Sequence, residues 1–314
     1  MTASTAHHEH ACAAPLPETE RWELIRALGA AVTTPPPANA SLRSALELPP
    51  ETGVDHTDTF VLSLPPHAAI YLGAEGKLGG DALDRVGGFW RALGLRAPGD
   101  ADHLGVLLML YAELGIAETG RTDERGRVQM RRARTALFHE HIASWTPGYL
   151  AAIGELGIGS TTAWAQLVAV TLSAEASQLE PPDALPAALR DAPPALAVTD
   201  SFDELLDAMV APIRSGIVLT QRDLTAVARR IGVGFRRGER RFALKAMLQQ
   251  DPHGVLTCLT EQARSWVDRH QAAAWPTSAG TSGTTPNAWW AARADHSAQV
   301  FHGLAVEAIQ SAQS

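Results

Sequence analysis

Residues 104–118, LGVLLMLYAELGIAE, make a helix of about four turns with no polar face to offer solvent. Leu104, Leu107, Leu108, Tyr111 and Leu114 recur at helical spacing on one side, while Val106, Met109 and Leu110 make the other side apolar too. A helix that is apolar all round is stable only when it packs on several neighbours. The chain must therefore build a multi-helix assembly around it. Asp102 is the expected N-cap, its carboxylate accepting the free amides of the first turn.

The rest of the chain supplies those neighbours. Helical periodicity dominates, and no alternating run bounded by hairpin turns stands out. A first helix over 18–33 stops before Pro35-Pro36-Pro37, and a short one is expected near 41–47. Between 66 and 95 the helical pattern is interrupted at Gly73, Gly76, Gly79 and Gly80. The spacing predicts an amphipathic helix over 124–145, with Met130, Ala133, Leu137, Phe138, His141 and Trp145 on one face and Arg127, Arg131 and Arg134 largely off it. Further helices are expected from Pro147 to Leu156, from Ser160 through Leu172, from a Ser201–Glu204 capping box to Pro212, and from a Thr220–Asp223 box through Ile231. Others run from Gly238 to Gln250 and onward from Asp251-Pro252.

These elements divide the chain into a polar tail over 1–17, one helical domain over 18–276, a Gly/Ser/Thr-rich linker over 277–287 and a C-terminal helix over 288–314. The expected fold class is all-α, a single bundle with an extra C-terminal helix.

Composition narrows the function. A net charge of −8 excludes a generally basic nucleic-acid binder. Cys12 and Cys258 are too few for a disulfide framework or a metal knuckle, and such sparse thiols suit a reducing compartment. The first 17 residues do not read as a signal peptide, and no apolar run reaches membrane-spanning length. A cytoplasmic location without membrane insertion is expected.

Catalytic motifs fail one after another. GAEGKL at 73–78 has the wrong spacing for a phosphate loop, and there is no G-x-S-x-G elbow. His139 and His141 are two apart on a helix, about 200° around it, so they cannot share a metal. His7, His8, His10 and Cys12 read as a polar tail. A metal-dependent hydrolase would need His103, His139 and His141 to converge. The chain is expected to be neither an enzyme nor a carrier of a cofactor or metal.

Two charge patterns remain. Residues 214–245 hold nine Arg or Lys against Asp223 and Glu239. Two helices around the Gly232–Gly234 turn could then form a helix-turn-helix over 220–245, the alternative function being a DNA-binding regulator. Its competing reading is a solvated basic face around core residues Phe242, Leu244 and Met247. Conversely, 97–120 has no Lys or Arg, while Asp100, Asp102, Glu113 and Glu118 are acidic. An acidic surface lined by apolar side chains suits a basic, partly hydrophobic peptide.

The stretch PGDADHLGVLLMLYAEL (98–114), followed by FHEHIASWTPGYL (138–150), resembles the TorD family of cytoplasmic chaperones for molybdoenzymes. The matching positions are Asp102-His103, then His141, Trp145, Pro147 and Tyr149 on the following helix. YLGAEGKLGGDALDRVGGFWRALGL (71–95) is similar to the segment that precedes Asp-His in such proteins. The usual Glu-Pro before Asp-His is replaced by Pro98-Gly99-Asp100-Ala101. Leu107-Leu108 stands where many members carry a glutamate, and the C-terminal part is longer than in short members.

The resemblance implies a non-enzymatic TorD-like bundle. Such a protein binds the twin-arginine leader, or another segment, of an apo molybdenum oxidoreductase subunit until its cofactor is inserted. It implies a site at Asp102 and His103, with Asp100 and Glu113 favouring cationic side chains. Tyr71, Leu72, Phe89, Trp90, His141 and Trp145 are candidates for the apolar wall. Asp102 stands open between cap and contact, and Trp90 and Trp145 between core and wall. No nucleic-acid partner is expected.

Overall fold

The computed structural model describes residues 17–199, 201–236, 238–273, 275 and 284–313. Among them every regular element is a helix, as the periodicity requires. All of the 1–17 tail except Pro17 lies outside the described residues, including its histidines and Cys12, and so does most of the 277–287 linker.

The N-terminal half is organised by α1 (Glu18–Thr33), the short α2 (Ala40–Ala45) and α3 (Gly53–His56), α4 (Ala68–Leu72), α5 (Gly80–Ala92) and α6 (Leu104–Gly120). As expected of a helix without a polar face, α6 is central: Leu104, Leu107 and Tyr111 are wholly buried. It packs on α1 so tightly that Gly115 lies under the Trp22 indole, where an added Cβ would come within 2.5 Å of the ring. α7 (Glu124–Ala136) lies along its other side.

The helix expected over 124–145 is not continuous. It widens into a π-helical turn over Leu137–Ile142, and a new helix, α8 (Thr146–Leu156), opens with Pro147 in its first turn. The break tucks both aromatic and histidine side chains inward: Phe138, His139 and His141 are all buried. Arg134 is also buried, against the expectation that it lies off the packed face. Its Nε donates to Glu118 at 3.0 Å and one terminal nitrogen donates to the Tyr111 hydroxyl at 2.7 Å, which in turn donates to Glu175 at 2.7 Å. Glu175 comes from α9 (Gly159–Gln178), so this buried chain of charges joins three helices.

The C-terminal half begins with α10 (Ala187–Arg190), a single turn. α11 (Phe202–Val210), α12 (Pro212–Ser215), α13 (Gln221–Ile231), α14 (Arg240–Gln250), α15 (Pro252–Ala272) and α16 (Pro286–Gln313) follow. Thr220 and Asp223 form the reciprocal cap foreseen for α13. Ser201 caps α11 through the Glu204 amide, but the return bond from Glu204 is absent, so only half of that box forms.

The two longest helices, α15 and α16, pair antiparallel: Asn287 Nδ2 donates to the His270 carbonyl at one end, and His253 Nδ1 meets the Ala305 carbonyl at the other. Trp290, Ala294, Ala298, Phe301 and Ala305 make the buried stripe of α16 at helical spacing. Trp290 reaches the N-terminal half directly, its Nε1 donating to the Ser144 carbonyl at 2.8 Å.

Candidate functional site

The starts of α4 and α6 are clamped together by one antiparallel bridge between His67 and His103. The Ala68 amide donates to the Asp102 carbonyl at 3.0 Å, and the Leu104 amide donates to the Pro66 carbonyl at 2.7 Å. The Asp102 side chain is buried at this clamp, 2% exposed. Its Oδ2 accepts the Ala69 amide at 2.9 Å and its Oδ1 lies 3.2 Å from His67 Nδ1.

Asp102 therefore caps α4 and not, as expected from local sequence, α6. The cap of α6 is His103, whose Nδ1 accepts the Gly105 amide at 3.0 Å. Burial alone would raise the Asp102 pKa; the bonds from His67 and the Ala69 amide outweigh it and hold the carboxyl below its ordinary value. Burial pushes the His103 imidazole down to about 4, with His67 and His56 acting in the same direction against Asp100 and Asp102. The His67 and His103 rings meet edge to face, 4.9 Å between centroids.

The four acidic residues of 97–120 do not form one surface. Asp100 is exposed beside the clamp, but Asp102 and Glu118 are buried and bonded. Glu113 is exposed about 15 Å further along α6 by its ten-residue separation, ion-paired with Arg26 at 3.5 Å. Of the acidic candidates, only Asp100 and Asp102 share this corner.

The candidate aromatic wall divides in two. Tyr71 and Trp145 are stacked, 5.0 Å apart and 12° from parallel, and Tyr149 packs on both. All three are buried, and the Tyr149 hydroxyl donates to the Leu64 carbonyl at 3.2 Å. They form core beneath the corner, with Trp145 fixed by its Nε1 bond to the His141 carbonyl at 2.9 Å. Phe89 and Trp90 on α5 are half-buried instead. Phe89 meets the His141 ring edge-on at 5.1 Å, and the buried Trp90 indole N–H has no hydrogen-bond partner. Burial, with Arg85 adding to it, pushes His141 down to about 4. Leu72 is buried at the edge of a cavity of about 270 Å³ that Lys77 and Arg85 also line.

The basic helices do not present a recognition face. Arg241 is ion-paired with Asp207 at 2.6 Å and with Asp203 at 3.0 Å, and Lys245 with Asp203 at 2.9 Å. Arg230 pairs with Glu261, and Arg240 donates to the Leu219 carbonyl at 2.7 Å. Phe242, expected in the core, is 61% exposed, because the α14 stripe that packs inward is Ala243, Leu244, Met247 and Leu248. Arg237 lies outside the described residues. The helix-turn-helix reading is not supported. Nor do the histidines converge: His139 Nε2 is taken by the Glu180 carbonyl at 2.9 Å, and among the described residues no group of three or more His, Cys, Asp or Glu could hold a metal ion.

The sequence reading missed His67. Its role depends on Asp102, 35 residues away, and no local spacing reports such a partner.

An all-helical bundle is the fold that the TorD resemblance implies. Residues 22–151, less than half of the chain, match the family model described as nitrate reductase delta subunit, a TorD-type family of molybdoenzyme maturation chaperones. The match contains most of α1, all of α6, the Asp102-His103 clamp and the Trp145–Tyr149 cluster. No curated protein and no solved structure matches the chain. No helix among the described residues is long and apolar enough to cross a membrane.

Proposed function

We propose that this protein is a cytoplasmic, non-catalytic chaperone. It binds the twin-arginine leader, or another segment, of an apo molybdenum oxidoreductase catalytic subunit and holds it until cofactor insertion, before assembly or export. The observation that supports this best is the corner at the starts of α4 and α6, built by Asp102, His67 and His103 inside the matched stretch. The exposed carboxylate of Asp100 favours a cationic residue of the client beside it. Phe89 and Trp90 offer half-buried apolar area to the client. In this reading Tyr71, Leu72, His141 and Trp145 support the wall from beneath, and Glu113 contributes only to the outer electrostatic field. Residues 18–276 are the chaperone unit, whose core α16 completes.

Calorimetric titration of the full-length protein tests the reading. The titrants are the leader peptide and the mature subunit of the molybdoenzyme encoded beside it. Micromolar or tighter binding, weakened by added salt, is the expected result. Absence of binding in both titrations would overturn it.

A further inference from the structure

The hydrogen bonds at the clamp fix the tautomers of its two histidines, and they fix them oppositely. Asp102 is held below the ordinary carboxylate pKa, so its Oδ1 is an acceptor and His67 must place its proton on Nδ1. In the neutral form of the ring this leaves His67 Nε2 with a lone pair. His103 Nδ1 already accepts the Gly105 amide, so the His103 proton must sit on Nε2. Neither Nε2 has a hydrogen-bond partner in the structure, and neither is sealed from solvent. The His67 side chain is 19% exposed and His103 is half-buried. The corner thus presents one acceptor and one donor on adjoining rings, anchored to a shared backbone bridge.

One acceptor and one donor, held rigidly side by side, complement the N–H and C=O of an extended peptide backbone. We propose that His67 Nε2 and His103 Nε2–H bind the main chain of the client's leader, accepting one amide N–H and donating to one carbonyl. The inference rests on the chaperone reading above and assigns the contact within it. Asp102 is then a positioning residue: it touches no client atom and acts by holding the His67 tautomer. Main-chain recognition is indifferent to side chains, so the corner sets where the leader lies, while Asp100 and the α5 aromatics select its sequence.

Two conservative substitutions isolate the outer atoms. In His67→Asn the side-chain amide N–H stands where Nδ1–H stood, keeping the Asp102 bond and losing the outer acceptor. In His103→Asn the side-chain oxygen replaces Nδ1 as the α6 cap and the outer donor is lost.

The first measurement needs no client. Nitrogen-15 NMR of the histidine side chains should find His67 protonated on Nδ1 and His103 on Nε2. Asp102→Asn should switch His67 to the Nε2–H form, because the Asn oxygen is claimed by the Ala69 amide and its NH₂ then faces His67. The opposite tautomers in the wild type, or no switch in Asp102→Asn, would sink the inference while leaving the chaperone reading standing.

The second measurement titrates the leader peptide with its backbone amides N-methylated one at a time. One position should weaken wild-type binding about tenfold, the equivalent of one hydrogen bond, and should cost nothing further in His67→Asn. If the unmodified leader binds the wild type but no N-methylation is silenced in His67→Asn, this inference fails alone. If the leader does not bind the wild type, the inference falls together with the leader-binding form of the function.

Discussion

Gly29 on α1 and Gly105 on α6 meet backbone to backbone. A Cβ on either would stand 2.5 Å from the carbonyl oxygen of the other. The crossing lies next to the His103 cap, so the closeness of α1 to α6 and the geometry of the clamp are one arrangement.

Gly105→Ala should therefore destabilise the protein by about 1–3 kcal/mol, the usual range for an overpacked core. The added methyl meets backbone, which cannot rotate away. Urea denaturation followed by circular dichroism would measure it; a change below a few tenths of a kcal/mol would show that the helices do not cross so closely.

Arg134→Met should cost about 3 kcal/mol, because it removes the cation shared by the buried Glu118 and Glu175 carboxylates and leaves them only Arg131 and Arg21. Replacing Arg134 and Glu118 together with apolar residues should recover part of the loss. A double-mutant denaturation series checks both expectations, and equal losses in the single and double variants would contradict the second.

Acid should unfold the protein through its buried imidazoles. His270 is held at about 4, against an ordinary value of 6.5, by burial that the bond to the Gly216 carbonyl only partly offsets. Folding keeps this ring neutral, so between those values the unfolded chain binds the extra proton. The contribution is complete above pH 6.5 and is lost as pH falls through about 4. For His270, 3% exposed, it amounts to about 3 kcal/mol. Thermal melts from pH 7.5 to 4 should show a falling Tm, with a shallower fall in His270→Gln.

Trp290→Phe keeps an aromatic ring but removes the donor to the Ser144 carbonyl. A loss of about 1–3 kcal/mol is expected for a buried acceptor left without its partner. Differential scanning calorimetry against Trp289→Phe, whose ring is only half-buried, provides the comparison; equal effects would show that the bond adds nothing.

What could be read from the chain was what depends on neighbours in sequence. The uniform apolarity of 104–118 announced a central helix, and the Thr220–Asp223 cap spans only three residues. Asp102 was misassigned because its carboxylate serves a helix 33 residues earlier, leaving the local cap to His103. Arg134 was misread because periodicity ranks arginine as a surface residue, whereas carboxylates from α6 and α9 neutralise it in the interior. At the candidate site the sequence supplied Asp102, His103 and the aromatics, but not their division into core and surface. Tyr71 and Trp145 are buried in the core while Phe89 and Trp90 are half-buried, a distinction set by how α4, α5 and α8 stack.

The bond between Ser144 and Trp290 also orders events during synthesis. The two residues are 146 positions apart, and a ribosome adding about 5–20 residues per second needs about 7–30 s to bridge them. Throughout that interval the nascent N-terminal half has its motif helices built but their underside open to water. On the proposed reading, a protein that shelters unfinished polypeptides thus passes through a stage in which it needs shelter itself, and it leaves that stage only when α16 has been made.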